Sequence, residues 1–524
     1  MPDLLVEGTL YTLDPSRPKA QAALVRGGRF VRVGTLEQCE REAGKDVQLV
    51  SVGEGCAVPG LVDAHGHPTL HGRSLAQVRL GGARSEDECV SRVAARAAME
   101  PAGSWLEGHG WDQNGWPRRA FPDGARLSLE VPLHPVFLTR VDVHAAFCND
   151  AALRRAGITD ATPDPAGGKI VRRADGSATG VLIDNAMDLV RNAIPRPTAS
   201  EAELAILRSL SDLSAAGLTG VHDAAASPAS LEAYRKLALS NELALRVYAM
   251  IDGQVPRERL IEQMEHWRSQ QTIGRLTVRS VKLFADGALG SRGAAMFEPY
   301  ADDAGNVGLW LMEPDDLAER IALVAAHGFQ PSVHCIGDRA CHTVLEAFAR
   351  VPRELRPRAE HLQILRQRDL PLLKRSGAIA SMQPTHATSD GPWAEERLGR
   401  GNERQRGAYA WRTVLDAGVP LAFGSDFPIE SFDPRLGLRA AVTRKTAVGG
   451  IWMPEQRLSR DEALRAFTTG AAHAGFAETR RGVIREGMEA DLTVFGRDLF
   501  DLPAEELATV PVIATVVDGQ VEHA

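Results

Sequence analysis

The 524-residue chain contains no run approaching the eighteen or so uninterrupted apolar residues that a membrane-spanning helix requires. Its first stretch, "MPDLLVEGTLYTLDP", carries Asp3 and Glu7 where a secretory signal needs a basic start and an apolar segment. The expectation is a soluble, cytoplasmic protein without a membrane partner. Cysteine is sparse: Cys39, Cys56, Cys89, Cys148, Cys335 and Cys341 are scattered and form no Cys-x-x-Cys pair. That favours free thiols over a disulfide framework or a zinc knuckle. Like charges form no blocks and the net charge is −8, so the electrostatic footprint of a nucleic-acid binder is missing. Internal repeats and low-complexity segments are also missing. Lysine is scarce, with seven residues against 53 arginines.

What is present is the composition of an ordinary globular protein, 44% hydrophobic and 24% charged, able to bury a large core. The length allows two or three domains, although barrels commonly exceed that prior within one domain. The opening reads as alternating strands, "LLVEGTLYTLD" and then "AALVRGGRFVRVG", with Gly27-Gly28 as a hairpin turn. The far end resembles it in "ADLTVFGRD" and "VIATVVDGQVEH", where Asp518-Gly519 is a strong two-residue turn signal. Neither end is large enough for a core of its own, so the two are expected to fold together. The expectation is a small composite β-sandwich domain from residues 1–58 and 480–524.

Between them, short apolar strands alternate with helical stretches, which implies βα units and a parallel sheet. Strand candidates are "LVDAH", "LTGVHDA", "LRVYAMI", "RSVKLFADG", "QPSVHCIGD", "RAEHLQ", "AIASMQP" and "LAFGSD". Intervening segments such as "PDDLAERIALVAAHG" have apolar residues at helical spacing and stop at a glycine. Eight such units favour an α/β fold of the closed (β/α)8 TIM-like barrel type over residues 59–479, with the active site at the strand ends. Residues of about 70–200 make an overlong excursion after the first barrel strand and contain another strand-like run, "HPVFLTRVDVH". A connection this long is expected to be a folded insertion, and we place it over the barrel mouth.

The chemistry-bearing residues cluster at strand ends. In "GLVDAHGHP", His65 and His67 alternate with Gly66 on an extended strand, so their rings share one side and can share one ion. A His-x-His pair supplies only part of a tight metal site, and the rest must come from elsewhere. Lys282, His334, His361 and Asp426 stand at the ends of the fourth, fifth, sixth and eighth strands. A lone strand-end histidine is ordinarily a hydrogen-bonded core residue and "GSD" a common turn or helix cap. Their joint placement at one barrel mouth is harder to dismiss, because imidazole and carboxylate are zinc-type ligands. His222, in "GVHDA", is read as a supporting residue behind such a site, and Cys335 as an incidental core thiol.

The ordered motifs "DAHGH", "VKLFADG", "VHCIGDRA", "AEHLQ" and "GSDFP", flanked by the split β domain, resemble the amidohydrolase superfamily. Within it, "EGHGWD", "VDVHAAFCN", "KLFADGALGSRGA" and "HCIGDRA" resemble amidohydrolase family 3, the branch that includes N-substituted formamide deformylases. The similarity spans nearly the whole chain. It implies that His65, His67 and Asp426 hold one divalent metal and that His334 and His361 hold a second, zinc being favoured by the ligand set and one or two ions being compatible with it. A lysine amine kept neutral by burial can react with carbon dioxide and become an anionic two-oxygen bridge, which an arginine cannot do. Lys282 is the residue for that carbamate, unless it is salt-bridged to Asp286 and the site carries a single metal.

The implied activity is hydrolysis of a non-peptide C–N bond, in an amide, N-substituted formamide or cyclic amide, by metal-activated hydroxide. Asp426 would accept the water proton and deliver it to the departing nitrogen. Trp111 and Asp112 would offer an apolar wall and an acceptor from the insertion, and His144 and Arg292 would add polar contacts. Asp338 would position Arg292 or a ligand, with purely structural service as the other reading. The competing functions are a lyase, decarboxylase or isomerase on the same metal, and a non-catalytic binding or regulatory relative. The expected partner is a small-molecule substrate. Oligomeric state is left open, a homo-oligomer included.

Overall fold

A computed structural model describes residues 2–140, 145–165, 168–195 and 198–524. The chain divides into two units, residues 1–72 with 199–524, and residues 73–198.

In the larger unit, eight parallel strands run in sequence order around a nearly closed barrel. They are β1 (Leu61–Gly66), β2 (Leu218–Ala226), β3 (Arg246–Asp252), β4 (Leu276–Phe284), β5 (Gln330–Cys335), β6 (Arg358–His361), β7 (Ile379–Met382) and β8 (Leu421–Phe423). All eight coincide with the strands read from the sequence. Parallel strands buried on both faces read as near-continuous apolar runs. Ala249, Ile251, Leu283 and Val333 accordingly lie in one large core shared with the outer helices.

Hydrogen bonds between β1, β8 and the residues that follow them close the barrel, among them one from the His67 amide to the Phe427 carbonyl at 2.9 Å. The Asp426 amide donates to the His65 carbonyl at 2.7 Å. The Asp63 carboxylate accepts from the Ser425 amide at 3.1 Å and from the Ser425 hydroxyl at 2.6 Å. The backbones approach so closely that a Cβ on Gly424 would stand 2.4 Å from the His65 amide nitrogen, and one on Gly66 would stand 2.0 Å from the Phe427 ring. The glycines of "DAHGH" and "GSDFP" are therefore required by contact at the seam.

Strands from both ends of the chain share one eight-stranded sheet. Leu492–Phe495 pairs antiparallel with Cys56–Pro59, which joins the two ends. The two hairpin turns read from the sequence are present: Arg26 pairs with Arg29 across Gly27-Gly28, and Val517 with Gln520 across Asp518-Gly519. All four turn residues have positive φ. That backbone suits the twist of a two-residue hairpin and explains the residue types chosen there.

Residues 73–198 form a six-stranded sheet with its own helices and its own core around Trp111, Trp116, Leu138 and Phe147. All six cysteines are buried free thiols. Among the described residues, no helix is long and apolar enough to cross a membrane.

Candidate metal centre

The C-terminal ends of β1, β4, β5, β6 and β8 bring together the six residues singled out above. His65 Nε2 lies 3.2 Å from Lys282 Nζ and 3.5 Å from an Asp426 oxygen. His67 Nε2 lies 3.0 Å from the same oxygen. The His361 ring centroid is 4.7 Å from that of His65 and 4.5 Å from that of His334.

A seventh residue was not legible beforehand. His386, on the helix Pro384–Leu398 that follows β7, places Nε2 3.6 Å from the other Asp426 oxygen. Two groups of ligand-type atoms result, His65, His67 and Asp426, and His361, His386 and Asp426, each within 4.8 Å. The carboxylate is common to both. The second group thus pairs His361 with His386, whereas the sequence pointed to His334. The missed signal was positional: His386 stands just beyond the β7 end, where no polar residue had been assigned.

The electrostatics favour the neutral form of His65, His334 and His361, which is the ligating form. Burial and the charge of Lys282 lower the His65 pKa to about 4 and that of His334 to about 3. Burial and the neighbouring histidines hold His361 well below its ordinary value. His65 Nδ1 faces Glu360 Oε2 at 2.5 Å, and His361 Nδ1 faces Gln383 Oε1 at 2.8 Å. Each Nδ1–H is thereby engaged, which leaves Nε2 with its lone pair free. Burial opposes the anionic form of Asp426, but the hydrogen bond from His67 and the nearby imidazoles outweigh it and hold its pKa well below the usual range. Burial also lowers the pKa of Lys282. The Asp286 carboxylate accepts from the amides of Ala295, Ile336 and Gly337 at 2.8–3.0 Å, and Lys282 has His65 as its hydrogen-bonding neighbour.

Support comes from behind. Glu360 is paired with Arg358, whose Nε lies 2.8 Å from Oε1, and both are fully buried. Arg358 also reaches His222 Nδ1 at 2.8 Å, the Ala64 carbonyl at 2.7 Å and Ser381 Oγ at 3.0 Å. His222 is thus linked to His65 through Arg358 and Glu360. Asp426 and His361 adopt left-handed backbone conformations, with φ of +62° and +70°. Such conformations cost about 1–3 kcal/mol and persist where the surroundings over-determine them.

The residues present fit a divalent cation. His334 Nε2 and His386 Nε2 are buried without a hydrogen-bond partner, and His386 belongs with His361 and the Asp426 carboxylate to one of the two ligand-type groups. This is the N/O donor set that zinc and related ions take. The centre opens into a cavity of about 390 Å³ whose walls include Phe284, Leu289, Ile336 and Trp393.

Of the remaining predicted residues, Trp111 and Asp112 belong to the unit of residues 73–198, and Arg292 and Asp338 to the larger unit. Trp111 is buried in the core of the insertion and its indole N–H donates to the Leu138 carbonyl at 2.8 Å. Asp112 pairs with Arg140 at 2.8 Å. Arg292 pairs with Asp302 at 2.8 Å, and Asp338 accepts from the Phe297 amide at 3.0 Å, and neither residue is among those lining the cavity. His144 lies outside the described residues.

A nearly closed parallel barrel that gathers histidines around a shared carboxylate at its strand ends defines a class, the α/β barrel with a candidate metal centre at its mouth. The chain belongs to the amidohydrolase family, which it matches over residues 49–523. It is 32% identical to the putative amidohydrolase YtcJ of Bacillus subtilis (strain 168), over 98% of each chain. It is 28% identical to the N-substituted formamide deformylase of Arthrobacter pascens, over 99% of this chain and 98% of that one. Among solved structures it resembles an uncharacterized metal-dependent hydrolase from Pyrococcus horikoshii OT3, with a TM-score of 0.83 and 26% identity over 96% of this chain and 99% of the other.

Proposed function

We propose that this protein is a metal-dependent hydrolase of a non-peptide C–N bond in a small molecule, an amide, N-substituted formamide or cyclic amide. The observation that carries the reading is the single Asp426 carboxylate shared between His65 with His67 on one side and His361 with His386 on the other. His334 completes the imidazole set. A divalent cation held there, zinc by the character of the donors, supplies Lewis acidity that polarises a carbonyl and acidifies water.

The chain's own residues supply the rest. Asp426, hydrogen-bonded to His67 and with its pKa held low, would take a proton from water and return it to the leaving nitrogen, as amide cleavage requires. The apolar walls limit competing water, and the cavity volume suits a small-molecule ligand. Burial lowers the Lys282 pKa and so favours the free amine, the form that can add to carbon dioxide, forming an N–C bond and releasing one proton. The resulting carbamate would be a further anionic ligand.

The test is metal analysis combined with turnover of N-formyl, N-acyl and cyclic amides by the wild type and by Asp426→Asn, with product analysed after reaction in 18O water. The reading expects metal in the wild type, solvent oxygen in the product and turnover lost in the variant. Product without solvent oxygen would identify a lyase or isomerase instead. Turnover confined to esters would overturn the nitrogen-bond assignment.

A further inference from the structure

The same cavity carries a second polar region that the hydrolytic reading does not use. Asp390 and Glu430 line it together with Gln363. Gln363 is 4% exposed and its Oε1 is buried with no hydrogen-bond partner. Tyr409 builds this region: its amide donates to the Gln363 carbonyl at 2.7 Å, and its hydroxyl donates to Asp390 Oδ2. One oxygen of Asp390 is thereby held while the carboxylate as a whole still borders the cavity. Trp393 and Ile429 supply apolar surface beside it. Among the described residues no arginine lines this cavity, and its one lysine, Lys282, lies against His65.

An acceptor-rich wall next to apolar surface fits a ligand that combines an apolar body with N–H donors. It disfavours a carboxylate, which would face like charge without a guanidinium to receive it. We infer that Asp390 and Glu430 are specificity-determining residues, and that the site selects amides whose non-reacting end carries an amine or another N–H donor while excluding those ending in a carboxylate. This rests on the hydrolase reading of the same cavity. Gln363 Oε1 is itself enclosed, so the acceptors that border the cavity on this side are the carboxylates of Asp390 and Glu430, beside the apolar surface of Trp393 and Ile429.

Two measurements on the metal-loaded protein separate this inference from the reading beneath it. The first compares kcat/KM for N-formylbenzylamines carrying aminomethyl, ethyl or carboxylate in the para position. The expected order is aminomethyl above ethyl, with carboxylate slower than aminomethyl by roughly tenfold to a hundredfold. The second measures, by calorimetry, binding of p-xylylenediamine against 4-ethylbenzylamine, which differ only at the far end and involve no turnover. The diamine is expected to bind about tenfold tighter, and the preference is expected to collapse in D390N/E430Q and to shrink in the milder E430Q alone. Equal affinities in the wild type, a preference unchanged in E430Q and the double variant alike, no binding of either amine, or faster turnover of the carboxylate would overturn the inference. Retained diamine preference without turnover of any formamide would sink the amide-hydrolase reading while keeping Asp390 and Glu430 as the groups that select an amine.

Discussion

Glu360→Gln is the sharpest perturbation of the centre, because it changes one buried charge and almost no volume. Glu360 makes two separable contributions. Its Oε2 accepts the His65 Nδ1 proton at 2.5 Å, fixing the tautomer that leaves Nε2 facing Lys282 and Asp426. Its Oε1 lies 2.8 Å from Arg358 Nε, with both side chains fully buried. At an effective dielectric of about 20, unit charges at that spacing attract by about 6 kcal/mol before desolvation is counted. Removing one partner of a buried pair typically costs about 3–5 kcal/mol, since the other charge is left uncompensated. Arg358 keeps its bonds to Ala64, Ser381 and His222, so we expect the lower end, about 3 kcal/mol. Loss of a carboxylate behind a ligating histidine typically lowers metal affinity by about 10–100-fold. Urea unfolding reads the first quantity and competition with a chromophoric chelator reads the second. A variant destabilised as expected but binding metal within about twofold of wild type would refute the claim that Glu360 sets the His65 tautomer, leaving it a purely structural counter-ion.

His386→Ala is expected to reduce bound metal, read by elemental analysis, and to lower turnover by at least about 100-fold, while the same change at His342, which pairs with Asp369 outside the cavity, leaves both unaltered. Lys282→Arg removes the amine that adds to carbon dioxide, so a carbamate signal seen by carbon NMR with labelled bicarbonate in the wild type should vanish in the variant. The Arg246 cluster sets an acid limit on stability: burial pushes the Asp491 carboxyl up, but Arg246 at 2.6 Å outweighs it and holds the pKa below its ordinary value. A depressed carboxyl stabilises above its unfolded pKa of about 4 and loses that contribution as pH falls through the folded pKa. The urea midpoint should therefore drop on acidification below about pH 4, and drop less in Asp491→Asn, which is already destabilised at pH 7.

Much of this architecture was legible locally. The eight barrel strands could be read because parallel strands buried on both faces are written as short apolar runs between glycine stops. The two hairpins of the terminal sheet could be read because only a few residue types tolerate positive φ at both turn positions. His65 and His67 announced themselves because alternation along a strand is a local rule.

What the chain alone did not disclose depends on groups far apart in sequence. His386 belongs to the centre only because the helix after β7 aims it at Asp426, a placement with no periodicity to betray it. Glu360 and Arg358 read as ordinary charged residues until folding buries them against His65, and Asp63 acquires its role only by bonding Ser425 across the barrel seam. The sequence determined the elements and the chemistry available at their ends, since those follow from neighbours along the chain. Only the tertiary structure decided which nitrogen faces which oxygen, since closing a barrel sets distances between residues that no local rule relates.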